Sequence, residues 1–162
     1  MFTAPGQTDT RIAQLRARRV WDSRGRPTLE AEVTLADGST GRAMAPAGAS
    51  RGSREALELR DGGTRLGGLD VTLAVAGVNG EIAALLRGMD AADQAGIDAA
   101  MIARDGTPAK ARLGGNAIVA TSLAVLQAGA AARRLPLWQH LAAVDPVSLP
   151  LPAIQIFGGC AH

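Results

Sequence analysis

From Thr28 to Leu35 apolar and polar residues alternate strictly, with Leu29, Ala31, Val33 and Leu35 on one side and Thr28, Glu30, Glu32 and Thr34 on the other. A period of two predicts a half-buried strand. Asp37-Gly38 comes next, a dipeptide that accepts positive φ and so predicts a hairpin, with Ser39 to Ala45 as the returning strand. Upstream, Ala13, Leu15 and Ala17 alternate with Gln14, Arg16 and Arg18, which predicts a third strand with an arginine-rich outer face. Residues 11–45 are therefore expected to form a three-stranded antiparallel meander.

The period then lengthens. Arg54 to Arg60 is a short helical candidate, and Asp70 or Thr72 can cap a helix in which Val78, Ile82 and Leu85 recur at helical spacing. Ala91 to Ala103 predicts a weaker helix with Ile97 and Met101 four apart. A long apolar segment places Val119, Leu123, Leu126 and Ala130 on one face, and its many Ala and Gly residues would let neighbouring elements approach closely. Pro136 suits the first turn of a last helix carrying Leu137, Trp138 and Leu141. Strands first and helices afterwards indicate an α+β domain, a meander followed by a helical bundle. Beyond Asp145-Pro146, the Pro150-Leu151-Pro152 stretch enforces extension, and Ala153 to Phe157 reads as the opening of one more strand, left without a partner.

Leu113 to Ala132 carries no charge, which raises the question of a membrane span. Its glycines, Asn116, Thr121, Ser122 and Gln127, and its reliance on Ala, favour a buried core helix, so no membrane partner is expected. Met1 to Thr10 lacks the apolar run of a signal peptide and reads as a flexible lead-in. The chain has 162 residues, about one domain, and a single cysteine, Cys160, so an internal disulfide is impossible and a cytoplasmic setting is expected.

Sixteen of the seventeen basic residues are Arg, yet the net charge is only +2. Arg11, Arg16, Arg18, Arg19, Arg24 and Arg26 cluster with only Asp22 among them. With no Tyr, two Trp and two Phe, the chain has too few aromatics for a single-strand stacking surface. Arginines laddered across the sheet against glutamates are the expected arrangement, and no nucleic-acid partner is.

Chemistry has few candidate carriers. Pro46 to Ser53 is rich in small residues, and its amides could approach an anion while Ser50 offers oxygen to a hard cation. It lacks the Lys-Ser/Thr ending of a Walker loop. Glu55 and Glu58 share a helical spacing but sit beside Arg54 and Arg60, which predicts a self-neutralising surface. His140 reads as a surface or helix-end residue, and Cys160 has no companions for a zinc site. His162, after a Gly pair, is a candidate for facing a ligand.

The order of words along the chain carries more. Asp22-Ser23-Arg24-Gly25-Arg26-Pro27-Thr28-Leu29-Glu30 closely resembles the enolase signature Asp-Ser-Arg-Gly-Asn-Pro-Thr-Val-Glu. The stretch from Gly48 through Arg60-Asp61-Gly62 is similar to the enolase lid loop and its helix. Asp93 to Asp98, Gly115 to Ile118 and Pro136 to Leu141 match in order and at similar separations. Together these words span residues 11–162 and resemble the amino-terminal domain of the enolase family, continued into the first strand of a (β/α) barrel.

The resemblance implies a division into a lead-in at 1–10, a capping domain at 11–143, and a linker with a barrel strand at 144–162. It implies a parent lyase that interconverts 2-phosphoglycerate and phosphoenolpyruvate in glycolysis with two Mg2+ ions, and acts as a homodimer. A lysine base, the carboxylates of the first magnesium and a phosphate-binding arginine would lie on the barrel, so no catalytic residue is assigned within this chain. The 162-residue chain alone is expected to be inactive and to show no tight magnesium binding. Residue by residue, Ser50 matches the serine that holds the second magnesium, and Gly48 and Ala49 match backbone closing over substrate. His162 matches the histidine of a Gly-Gly-x-His segment near substrate, and Arg18 and Glu30 match ion-pairing residues of the dimer contact. Two departures flank this presumed site: Ala47 and Arg51 stand where the family loop has Ser and Thr, and Gln155 to His162 departs from Asn-Ile-Ile-Asn-Gly-Gly-x-His. Arg51 would add a cation over a phosphorylated three-carbon acid. Two alternatives stand beside this reading: a paralog acting on a related phosphoenolpyruvate derivative, such as a carboxyphosphoenolpyruvate synthase, and a non-catalytic binding or dimerisation module.

Overall fold

A computed structural model describes residues 8–45, 47–48, 52–142, 148–154 and 156. The meander forms as the alternation predicts, with β1 (Ile12–Trp21), β2 (Pro27–Leu35) and β3 (Thr40–Met44) in the order β1-β2-β3, antiparallel throughout. Leu29, Ala31, Val33 and Leu35 of β2 are fully or almost fully buried. On β1 a register irregularity between Ile12 and Gln14 turns Ile12 into the core and leaves Ala13 exposed. Arg18 lies opposite Glu30 and Arg42 opposite Glu32. The expected ladder results: Arg18 meets Glu30 at 2.7 Å, and Arg42 meets Glu32 at 2.5 Å and Glu30 at 3.5 Å.

The helices cover the other face. A broken helix runs as α1 (Thr72–Gly77), a π turn (Val78–Ile82) and α2 (Ala83–Leu86). It buries Ala74, Val78, Ile82 and Leu86. The π turn includes Asn79, whose side-chain amide accepts from the Ala17 N–H at 2.7 Å and donates to the Ala17 carbonyl at 3.0 Å. Unpaired strand edges invite association, and here a helix-borne amide occupies two groups of the β1 edge. Then come α3 (Gln94–Asp105), α4 (Gly115–Ala132) and the short α5 (Leu137–Leu141). Ile97 and Met101 of α3 are both fully buried, as their spacing predicts.

Helix α4 lies across β2 and β3 with its small residues inward, Ala117, Ala120, Ala124 and Ala128 all fully buried. Of the residues grouped by period, Ala130 is buried and Leu126 half-buried, but the large Val119 and Leu123 are 48% and 40% exposed. The reason is at Gly41, which meets the α4 backbone: a Cβ there would fall 2.8 Å from the carbonyl carbon of Gln127, and nearer still to Ala124 O and Ala128 N. At this separation only small side chains fit between strand and helix. By length and composition α4 could cross a membrane, but 67% of it is buried, as in a core helix.

One further expectation is corrected. Arg54 to Arg60 is not helical: a turn at Ser53–Glu55 leads into an irregular segment. The Leu57 N–H donates to Ala109 O at 2.7 Å and its carbonyl accepts from the Gly115 N–H at 2.7 Å, so tertiary partners occupy the groups a helix would need. Residues 155 and 157 of the strand expected from Ala153 to Phe157 lie outside the described residues, and in the described 148–154 segment Leu149 and Leu151 are 98% and 96% exposed. A strand exists only with a partner to receive its hydrogen bonds, and none is present among the described residues.

Candidate functional site

The loop between β3 and Leu57 carries the residues the sequence singles out, and both of its feet are pinned. At the first foot the Thr28 hydroxyl donates to Ala45 O at 2.8 Å, with Thr28 buried, and the Ala45 N–H donates to Leu29 O at 3.4 Å. Gly48 is exposed, and Gly52 to Glu55 closes a turn in which the Gly52 N–H donates to Glu55 Oε1 at 2.8 Å.

The second foot is held more heavily. Asn116 accepts from the Leu59 N–H at 3.0 Å and donates to the Leu59 carbonyl at 3.2 Å, gripping both polar groups of one residue. Arg60 has a largely buried side chain that donates to Pro27 O at 2.5 Å, Leu69 O at 2.7 Å and Glu58 Oε2 at 3.0 Å. It thereby ties the segment after the loop to the start of β2 and to the turn before α1.

The recurrent words of the sequence are thus largely folding devices. Asp61, not Asp70 or Thr72, caps α1: its carboxylate accepts from the Thr72 N–H at 3.0 Å, the Leu73 N–H at 2.9 Å and the Thr72 hydroxyl. Burial raises its pKa, but those hydrogen bonds prevail and hold it below the usual carboxylate range. Asp70 is itself buried and paired with Arg19 at 2.7 Å. Asp22 accepts from the Arg24 and Arg26 N–H groups at 2.9 and 2.8 Å and closes the β1–β2 turn. Asp93 caps α3 through the Gly96 N–H at 2.9 Å, and a side chain at Gly96 would strike that carboxylate. His140 is half-buried at the end of α5, where its ring packs on Gly129 of α4.

Two acidic groups outside the quoted words complete the scaffold. Asp105, 3% exposed, accepts from the N–H groups of Thr107, Arg112 and Leu113 and orders the loop into α4. Burial raises its pKa, but these donors outweigh burial and leave it depressed. Glu81 bridges Arg112 at 2.9 Å and Arg104 at 2.5 Å, and the two guanidinium groups hold its carboxyl down at about 2. Only the fold reveals both roles, because each partner set comes from a different element.

Of the site candidates, Gly48, Arg18 and Glu30 are described. Ala49, Ser50, Arg51 and His162 lie outside the described residues. Arg18 and Glu30 pair with each other within one chain, and Glu30 is 8% exposed. Glu55 and Glu58, paired by helical spacing, are not on a helix. Among the described residues no group of three or more His, Cys, Asp or Glu could hold a metal ion. One sequence feature also stands out at the terminus: Gly158-Gly159-Cys160-Ala161-His162 has one residue more between glycine and histidine than Gly-Gly-x-His.

A three-stranded meander covered on one face by helices, with a pinned loop leaving β3, defines an α+β domain of the kind the word order anticipates. Residues 12–141 match the family described as Enolase, N-terminal domain. The chain belongs to that family, and so to the enolase superfamily.

Proposed function

We propose that this chain is the lid-bearing capping domain of a lyase that interconverts 2-phosphoglycerate and phosphoenolpyruvate. The observation that supports it is the loop from β3 to Leu57: the family's loop sequence sits between two pinned feet, in a domain that matches that family over residues 12–141. A loop fixed at both ends and rich in small residues suits a cover that excludes water from a reaction.

In this reading Gly48 and Ala49 bring backbone over the substrate, Arg51 adds a cation beside its phosphate, and His162 approaches it from the terminal segment. Magnesium, when bound, counters the charge accumulating on a carboxylate that is already negative, and Ser50 is this chain's contribution to holding the second ion. The base and the other ligands belong to the barrel. Arg18 and Glu30 take part in a homodimer contact, presented to the partner as an already joined pair. The setting is cytoplasmic.

A second reading, a paralog acting on a related phosphoenolpyruvate derivative, is favoured by Ala47, by Arg51 and by the longer spacing before His162. Comparing kcat/KM across phosphorylated three-carbon acids, with and without Arg51→Thr in the barrel-bearing protein, separates the two. If Arg51→Thr shifts preference toward 2-phosphoglycerate, the paralog reading gains; unchanged KM values remove any specificity role for Arg51.

A further inference from the structure

The hairpin end of the sheet carries charge that the fold does not use. Asp22 spends its carboxylate on the backbone amides of Arg24 and Arg26, so neither guanidinium has a hydrogen bond or ion pair among the described residues, and Ser23 to Arg26 are all exposed. Arg60, bonded to both Pro27 O and Leu69 O, brings this hairpin beside the turn that holds Arg65 and Asp70. There Arg19 and Arg65 share the single buried carboxylate of Asp70, at 2.7 and 3.5 Å, with Arg65 73% exposed. Four arginines against two aspartates give this corner +2, equal to the formal net charge of the whole chain.

The same corner exposes a preset aromatic. Trp21 is 54% exposed, and Arg19 sits 5.6 Å from its ring centroid while Asp70 holds the guanidinium in place. A Trp–Arg pair fixed before contact loses little freedom on binding, and these two residue types dominate interface hot spots.

We propose that this hairpin corner is a docking site for an acidic polypeptide segment, independently of whether the loop serves a lyase. Guanidinium forks match carboxylates two bonds at a time, which lysine does not. A second copy of this chain is a poor occupant, since its described carboxylates are largely engaged by arginines and backbone amides. Nucleic acid is disfavoured by the lone aromatic in the patch.

The test uses the whole chain with Trp138→Phe, so that emission reports Trp21 alone, titrated with a short polyglutamate peptide. The expected result is a saturable change whose Kd rises about tenfold or more between about 50 and about 300 mM salt. The Arg24→Gln/Arg26→Gln variant should bind roughly tenfold more weakly with an unchanged melting temperature, since those side chains make no structural bond. Parallel titrations use a thymidine oligonucleotide and phosphatidylserine vesicles. Absence of a saturable change at low salt, an unaltered Kd in the double variant, or tighter binding of the oligonucleotide or vesicles would overturn the proposal.

Discussion

Replacing Gly41 by alanine adds one methyl group and should cost more than almost any other single-methyl change in this fold. The new Cβ would lie 2.8 Å from the Gln127 carbonyl carbon and closer to Ala124 O and Ala128 N, whereas real Cβ contacts essentially never fall below 3.0 Å. All three obstacles are helix backbone, so no rotamer change relieves them. Strand and helix must part by on the order of 0.5–1 Å, which forfeits a quarter to a half of each dispersion contact along the seam. Ala31, Val33 and Ala43 on the strands and Ala120, Ala124 and Ala128 on α4 are all buried in the core that these elements share. Overpacking of this kind costs about 3 kcal/mol. For a domain of this size that is roughly a 10 °C fall in Tm, read by circular dichroism. Ala124→Gly or Ala128→Gly should not rescue it, because the blocking atoms remain. A Gly41→Ala protein melting within about 1 °C of the parent would refute the close sheet–helix approach, and with it the reason α4 turns its small residues inward.

Asn116→Ala leaves both polar groups of Leu59 without their partners, which should cost about 1–3 kcal/mol and speed amide exchange at Leu59; unchanged exchange there contradicts the pinned foot. Asp61→Ala removes the α1 cap and should cost about 1 kcal/mol, with faster exchange at the Thr72 and Leu73 amides and little change in α4. Glu81, Asp61 and Asp105 all have folded pKa values below their unfolded ones, so their stabilisation is complete above the unfolded range near 4 and is lost as pH falls through the folded values, about 2 for Glu81. Urea midpoints should thus be flat from neutral pH to about 5 and drop below about 4, less steeply for Glu81→Gln; a midpoint unchanged down to about pH 2 refutes this. Calorimetric titration of the 162-residue chain with magnesium should show no tight site, and saturable micromolar binding would contradict the assignment of the main ligands to the barrel.

The strands were legible because period two leaves little choice: moving β2 by one residue would turn Glu30 and Glu32 toward the helix-covered core and carry Leu29 and Val33 to the face of the ion-pair ladder. Ile97 and Met101 were legible for the same reason at helical spacing. The inward face of α4 was not, because hydrophobicity ranks Leu123 above Ala124, while the geometry at Gly41 admits only the alanine. The segment Arg54 to Arg60 has helical composition, but Asn116, Ala109 and Gly115 take its backbone groups, and those partners lie some fifty residues away in sequence. Asp61 reads as a charge beside Arg60 until the chain folds and Thr72 arrives above it. The candidate site was legible mainly as word order. Its words proved to be turns, caps and loop anchors where described, and Ala49, Ser50, Arg51 and His162 stand on resemblance alone.

The central claim is that this domain covers an enolase-type active site, and it is tested most directly by phosphoenolpyruvate formation from 2-phosphoglycerate. The assay uses protein that carries residues 12–141 together with a barrel, supplied with magnesium. Turnover that Ser50→Ala lowers by about 10²-fold, without loss of folding, is the predicted result. A folded, magnesium-supplied protein that leaves 2-phosphoglycerate unchanged, or one whose rate is indifferent to Ser50, would contradict it.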